Sequence, residues 1–271
     1  MRRQSTLITA LKAYGFSGLL IVFGLILSNR TEAALIADEN FEYASGSLVG
    51  DNGGIGWNGA WYTSYGSASV NNQQATVAGT SAAFRLLAAP VTITPNTEVW
   101  FSFTAQELSP VSTYAGLSAF SGNGERGFAG DPNSGPTMWG LQPTGLSNSG
   151  PQVNSKDAAN VKSLLVERYS IAADGTGTMT LWLNPLSMSQ LINQDAVAVG
   201  TFVQSPMSFD RIRLASGNGA MSFSDIRIGT TAADVLPNVA SVPEPGVGVM
   251  LGLGMLGIAF VRCYQKRSVV V

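Results

Sequence analysis

Residues 97–107 read Thr-Glu-Val-Trp-Phe-Ser-Phe-Thr-Ala-Gln-Glu, and they alternate between two sets of side chains. In an extended strand Val99, Phe101 and Phe103 would share one face, and the residues between them would share the other. A period of two over this length is typical of a β-strand with one buried face. The stretch therefore predicts a strand and sets the fold class for the region around it.

The same pattern continues toward the C-terminal side. Residues 164–172 and 178–183 flank Asp174-Gly175-Thr176-Gly177, in which glycine supplies the positive φ of a hairpin turn. Further alternating stretches cover residues 209–214 and 220–228. With turn residues between all of these stretches, we expect an all-β, antiparallel sandwich over residues 34–230.

One stretch fits two structures. In residues 155–169, Ala158, Val161 and Leu165 also have helical spacing. We favour a strand from Ser163 onward, because the hairpin needs one there.

The N-terminus carries basic residues ahead of an uncharged apolar run. Arg2, Arg3 and Lys12 precede residues 13–27, which contain no charge. Thr31-Glu32-Ala33 then places small residues at the −3 and −1 positions of a cleavage site. We expect residues 1–33 to be a helical signal peptide that is cut after Ala33. An uncleaved anchor or a core helix is the alternative.

The C-terminus has a similar apolar run, with basic residues after it. Residues 247–261 are uncharged, and a helix of that length is about 22 Å long, short of the ~30 Å hydrocarbon core. Because Arg262 can extend its charge toward the surface, we still expect a single inserted helix. Lys266 and Arg267 should stay on the cytoplasmic side, which places the body outside.

A motif before this run carries a family resemblance. Val242-Pro243-Glu244-Pro245, the short apolar span and the basic cluster Arg262, Lys266 and Arg267 resemble the PEP-CTERM sorting signal of bacterial exported proteins. The resemblance implies an exosortase, a membrane transpeptidase, as partner. That enzyme would cut near the Pro-Glu-Pro and release the body to the cell surface or extracellular matrix. An ordinary C-terminal anchor is the alternative.

The resemblance also divides the C-terminal region. Residues 231–242 are interpreted as a linker, and residues 243–267 as the sorting segment. Within that segment lie the hydrophobic helix, residues 247–261, and the basic tail.

A second resemblance concerns the body. Residues 38–61, including Gly56-Trp57-Asn58-Gly59-Ala60-Trp61, are similar to the opening of a group of PEP-CTERM exported proteins. Residues 181–185 and 209–229 are similar to the closing strands of that group. The group resembles the concanavalin A/laminin-G jelly roll, which implies that the first and last strands pair. Residues 105–160 carry little signal.

Composition limits the chemistry. The 271 residues include no His and one Cys, so a catalytic triad with His and a thiolate zinc site are both excluded. Between residues 34 and 241, 15 acidic residues face eight basic ones, which argues against nucleic acid as a partner.

Catalysis by carboxylates is not favoured either. The Glu-x-Asp-x-x-Glu string that glycanases of the jelly-roll type use is absent. Asp38 and Glu39 would point to opposite faces of one strand, and an acidic edge strand is the interpretation we prefer. We expect no enzyme. The alternative is a glycan hydrolase built from separated carboxylates such as Glu42 and Glu167.

Four aromatic residues form the candidate ligand site. Trp57, Trp61, Tyr62 and Tyr65 lie together in a Gly-rich segment. Such side chains either pack in a core or under a lid, or present flat faces on which sugar rings stack. We expect a non-catalytic protein. If these four side chains contact a ligand, we expect that ligand to be a polysaccharide. A purely structural matrix or adhesion protein is the alternative.

No metal or cofactor is expected. Asp51-Asn52-Gly53, Asp131-Pro132-Asn133 and Asp174-Gly175 offer oxygen ligands of the kind Ca²⁺ accepts, but Asx-Gly sequences are foremost turn formers.

Two ion pairs are predicted across neighbouring strands. They join Asp210 and Asp225 to Arg213 or Arg227, each worth about 0.2–1 kcal/mol.

Overall fold

The computed structural model describes residues 34–110, 113–132, 137–144, 152–203 and 205–236. Within these residues the chain forms antiparallel strands and two short helices. In chain order they are β1 (Leu35–Glu39), β2 (Gly46–Ser47), β3 (Tyr62–Asn71), β4 (Gln74–Ile93), β5 (Thr97–Ser109), β6 (Ala115–Ser121), β7 (Gly124–Asp131), β8 (Met138–Gln142), β9 (Val153–Ala158), β10 (Ser163–Ile171), β11 (Thr176–Leu183), α1 (Met188–Asn193), β12 (Ala198–Val203), β13 (Met207–Ser216), β14 (Ala220–Gly229) and α2 (Ala232–Val235).

The strands form one continuous ladder folded into two layers. We call β12-β11-β10-β5-β14, with β1 beside β14, the back sheet, and β3-β4-β13-β6-β7-β8-β9 the front sheet. Strand β4 connects them, because its first residues pair with β14 and its later residues pair with β13. The antiparallel all-β prediction is confirmed.

The core lies between the two sheets. Val99, Phe101 and Phe103 of β5 all point into it, as their alternation predicts. The rings of Phe101 and Phe209, on opposite sheets, lie 5.3 Å apart between centroids. Strands were also predicted correctly at β10, β11, β13 and β14, and the strand from Ser163 is confirmed.

The first and last strands pair, as the jelly-roll resemblance implies. In β1 and β14, Ala37 lies opposite Ile228 and Glu39 lies opposite Ile226. This pairing places the opening of the body beside its last strand.

Residues 105–160, which carry little sequence signal, supply strands β6 to β9 of the front sheet. In these strands, glycine occurs at positions where the backbone of the adjacent strand comes too close for a side chain. A Cβ on Gly116 would overlap the carbonyl of Ala129 on the adjacent strand. These positions lack the apolar alternation that marks a strand in sequence.

The body extends past residue 230 into the segment interpreted as a linker. Residues 232–235 form α2, and Val235 is fully buried against the back sheet. The Ser102 hydroxyl donates to the Val235 carbonyl at 2.5 Å, which fastens this turn to β5.

Several predictions concern residues outside the described ranges. They are the signal peptide with Ala33, the motif Val242-Pro243-Glu244-Pro245, the residues Arg262, Lys266 and Arg267, and both predicted hydrophobic helices. In the part of the chain that the structure describes, no helix is long and apolar enough to cross a bilayer.

Candidate functional site

The structure separates the four candidate aromatic residues into two pairs. Trp61 is 1% exposed and stacks on Phe41 in the core. Trp57 is partly buried beside it, and its indole N–H donates to the Asp38 carbonyl at 2.9 Å. Tyr62 and Tyr65 begin β3 and lie on the outer face of the front sheet.

The two tryptophans enclose a buried ion pair between Glu39 and Arg85, whose side chains are both fully buried. The Arg85 guanidinium carbon lies 5.0 Å from the ring centroid of Trp57 and 5.6 Å from that of Trp61. The Trp61 indole N–H donates to Glu39 Oε2 at 3.0 Å. This arrangement is a cation–π and hydrogen-bond network around a fully buried ion pair.

Glu39 therefore corrects the interpretation of an acidic edge strand. Asp38 and Glu39 do point to opposite faces, but the Glu39 carboxylate points inward and is neutralised by Arg85. A charge buried at this position requires such a partner, because desolvation of an unpaired carboxylate is too costly.

The Asp51-Asn52-Gly53 turn is part of the same network. Arg85 Nη2 donates to Asn52 Oδ1 at 3.1 Å and to the Gly53 carbonyl at 2.6 Å. These two oxygens, which could have been Ca²⁺ ligands, thus accept hydrogen bonds from the Arg85 guanidinium.

The other two acidic turns also have partners. Asp174 Oδ1 accepts from the Thr176 amide at 2.9 Å. Desolvation and the nearby Glu107 carboxyl raise the pKa of Asp131 to about 7. Among the described residues there is no group of three or more acidic, His or Cys side chains that could hold a metal.

The outer face of the front sheet carries a cluster of aromatic and charged side chains. Strand register places the outward side chains of β3, β4, β13 and β6 in adjacent rows on this face. We call this surface the front platform, and define it by Tyr62, Tyr65, Phe84, Tyr114, Phe120, Arg211 and Arg213.

One row of the front platform consists of aromatic rings. Tyr62 stacks on Phe84 with centroids 5.6 Å apart, and Phe84 meets Phe120 edge to face at 5.5 Å. Phe120 is nearly buried, whereas Tyr62 and Phe84 are partly exposed. The row crosses the sheet from β3 to β6.

A second row contains Tyr65 and Tyr114. Tyr65 is 40% exposed, and its hydroxyl lies 3.4 Å from that of Tyr114. Desolvation and this hydrogen bond raise the pKa of Tyr65 to about 12. The Tyr65 hydroxyl therefore remains protonated at neutral pH and can serve as donor and acceptor.

Each arginine of the front platform has a carboxylate partner. Arg211 Nε lies 2.7 Å from Asp210 Oδ1, and Arg211 Nη1 donates to the Tyr62 hydroxyl at 3.1 Å. Arg213 Nη2 lies 2.6 Å from Glu125 Oε1. The guanidinium of Arg213 also lies 4.6 Å from the Phe120 centroid.

These contacts correct the predicted ion pairs. Asp210 pairs with its neighbour Arg211 because a bulge after Phe209 changes the register of β13. Arg227 pairs with Asp38 at 3.8 Å, and not with Asp225. The front platform thereby holds two compensated charge pairs.

Sequence reasoning missed most of the front platform. Tyr114, Phe120 and Glu125 lie in the segment with little sequence signal, and Phe84 lies in the long strand β4. Arg211 and Arg213 alternate with the buried Ile212, and this pattern could have predicted charged side chains on the outer face.

The carboxylates named for a hydrolase lie in different surroundings. Glu167 points into the core and is fully buried, whereas Glu42 is exposed.

No protein-family model matches the chain, and no curated protein matches it. Among solved structures, the globular domain of T. cruzi calreticulin is similar, with 14% identity, 83% of this chain and 100% of that chain covered, and a TM-score of 0.40. The Bauhinia forficata lectin in complex with GalNAc has 9% identity, 74% and 99% coverage, and a TM-score of 0.44. An endo-β-1,4-glucuronan lyase from Trichoderma reesei has 14% identity, 79% and 96% coverage, and a TM-score of 0.41.

Proposed function

We propose that this chain is a non-catalytic exported protein that binds an extended neutral polysaccharide along the front platform. In this proposal the body is a jelly roll of the concanavalin A/laminin-G type. The observation that carries the binding proposal is the juxtaposition of partly exposed aromatic rings with two compensated ion pairs on an open sheet face.

The chemistry of the front platform suits sugar rings. A sugar presents an apolar face of C–H groups and a rim of hydroxyls. Tyr62 and Tyr65 offer flat apolar surface with a polar tip. The Arg211–Asp210 pair offers charged donors and acceptors, which form stronger hydrogen bonds than neutral groups do.

The charges and the length of the front platform narrow the ligand class. Because each arginine is paired with a carboxylate, the surface has no surplus of positive charge to attract a uronate or sulfate. The platform crosses four neighbouring strands, which at about 4.8 Å spacing span about 14 Å. That length favours several linked sugar rings over one.

The sorting part of the proposal is supported by the two terminal segments of the sequence. Fractionation of C-terminally and internally tagged chains in a host with an exosortase tests it. We expect the internal tag outside the cytoplasm and the C-terminal tag lost from the exported form. An internal tag found only in the cytoplasm would contradict export, and an unshortened exported chain would contradict processing.

The binding part is tested by truncating Tyr65, which is exposed, and Tyr114, which is partly buried beside it. We expect Tyr65→Ala with Tyr114→Ala to weaken binding of a neutral polysaccharide at least tenfold, because each ring supplies stacking of about 1 kcal/mol. A glycan array on the full-length chain identifies the ligand, and calorimetry measures the affinity.

The matched control is Tyr65→Phe with Tyr114→Phe, which keeps both rings and should retain most of the affinity. Thermal unfolding checks that all variants fold. A wild-type chain that binds no glycan on the array would instead favour a purely structural matrix protein.

A further inference from the structure

A cavity of about 360 Å³ lies on the outer face of the back sheet. This volume is within the ~300–1,000 Å³ range of small-molecule sites. Its floor is formed by Trp100 of β5, Arg168 of β10 and Trp182 of β11. The front platform lies on the outer face of the front sheet, so it shares no residue with this cavity.

The floor is an ordered stack. The indole rings of Trp100 and Trp182 lie 5.5 Å apart between centroids, at an interplanar angle of 22°. The Arg168 guanidinium carbon lies 5.5 and 5.6 Å from those centroids. Three delocalised groups are thus held together across three strands.

Glu98 fixes this stack and compensates its charge. The Trp100 indole N–H donates to Glu98 Oε1 at 2.8 Å, and Arg168 Nη1 lies 3.7 Å from Glu98 Oε2. The floor therefore offers the small exposed parts of two largely buried indoles, 6% and 9% exposed, and a guanidinium side chain that is 33% exposed, without net charge.

Two helices wall the cavity. Helix α1 follows β11 and contributes Ile192, and α2 follows β14 and contributes Ala232. Strands β11 and β14 lie on either side of β10 and β5, so the floor is bounded on two sides. An open sheet face can hold the middle of a long chain, whereas a walled cavity suits a short molecule or a chain end.

Polar groups of the loop after α1 complete the lining. Gln194 donates its side-chain amide to the Leu183 carbonyl at 2.8 Å, which fixes its position. Asp195 is exposed and lines the cavity with a carboxylate that can accept from two hydroxyls. Its negative charge disfavours an anionic ligand.

We propose that this cavity is a second saccharide site, which takes one or two rings from a neutral saccharide or from the end of a glycan chain. Ring C–H faces contact the indoles, and hydroxyls bond to Arg168, Gln194 and Asp195. The site does not depend on glycan binding at the front platform. A chain with both sites could hold two polysaccharides at once.

The test titrates the full-length chain with methyl glycosides and disaccharides of neutral hexoses, pentoses and 6-deoxyhexoses, and with a methyl uronoside for comparison. The readout is the NMR signal of the Trp100 indole N–H, with calorimetry for affinity. We expect a saturable shift with at least one neutral glycoside at millimolar concentration. Asp195→Ala and Arg168→Met should weaken that binding at least tenfold.

Asp157→Ala is the matched control, because it removes an exposed carboxylate from β9, away from the cavity, and should leave binding unchanged. The Tyr65→Ala, Tyr114→Ala variant should also bind the glycoside normally. The proposal is overturned by the absence of any saturable shift, by unchanged binding in Asp195→Ala, or by preference for a uronate. Loss of binding in the tyrosine variant would overturn it too, by placing the ligand on the front platform.

Discussion

Replacing Arg85 by Met is expected to lower the free energy of unfolding by about 3–5 kcal/mol. The guanidinium is fully buried, and it bonds to Glu39, to the Tyr43 hydroxyl at 3.1 Å and to the Gly53 carbonyl at 2.6 Å. Met keeps the length of the side chain but leaves the Glu39 carboxylate buried without its cation. Most of the loss comes from that uncompensated charge.

The loss of stability in the Arg85→Met variant should begin in the segment between β2 and β3. Arg85 Nε donates to the Gly59 carbonyl at 3.3 Å, so the one side chain bonds to the segment between β2 and β3 at several points. Limited proteolysis is expected to cut this segment first in the variant.

Chemical denaturation measures the change, and Arg227→Met is the matched control. Arg227 is 35% exposed and lies 3.8 Å from Asp38, so its loss should cost about 0–1 kcal/mol. Equal losses in the two variants would contradict the role assigned to burial.

Replacing Glu167 by Gln is expected to stabilise the protein at neutral and alkaline pH. Glu167 lies in the core, and desolvation raises its pKa from 4.5 to about 8, although the Tyr169 hydroxyl on the same face of β10 lowers it in part. The folded chain therefore binds a proton at pH 7 that the unfolded chain has released. Gln is the neutral isostere and avoids that cost.

The direction of this effect and its pH range follow from the coupling between proton binding and folding. Because folding raises the pKa of Glu167, its contribution to the stability of the wild type is fully present below the unfolded-state pKa of 4.5. That contribution is lost as the pH rises toward the folded-state pKa of about 8. The advantage of Glu167→Gln should be near zero at pH 4 and should grow to about 2–4 kcal/mol by pH 7.

Denaturation curves of the variant and the wild type between pH 4 and pH 9 test this. Asp131, whose pKa is also raised, contributes to both proteins, so the difference between the curves isolates Glu167. Glu42→Gln is the control, because that side chain is exposed. Parallel curves for Glu167→Gln and the wild type would contradict the prediction.

The strands that were predictable from sequence are those with large apolar residues at every second position. Val99, Phe101 and Phe103 give that pattern to β5 because their face is buried and the other is only partly covered. Strands β6 and β7 pack through small residues such as Gly116 and Ala129, whose size is set by neighbouring backbone and carries no periodic signal.

The front platform was only partly predictable from sequence, because its geometry also depends on how neighbouring strands pair. Tyr62 and Tyr65 are three residues apart, which in a regular strand would put them on opposite faces. A bulge in β3 restores them to one face, opposite Phe84 and Ala82 of β4. Bulges of this kind depend on the partner strand, so the sequence of β3 alone does not reveal them.

The position of β14 has a consequence for how the chain acquires its structure. This last strand lies between β5 and β4 in the ladder and also pairs with β1, so its strand partners all lie between residues 35 and 109. Until β14 arrives, the back sheet is incomplete and is not joined to β4 of the front sheet. Pairings so distant in sequence slow folding to milliseconds or seconds. A ribosome or translocation channel that releases the body from its N-terminus would therefore hold it incomplete until the final strand emerges.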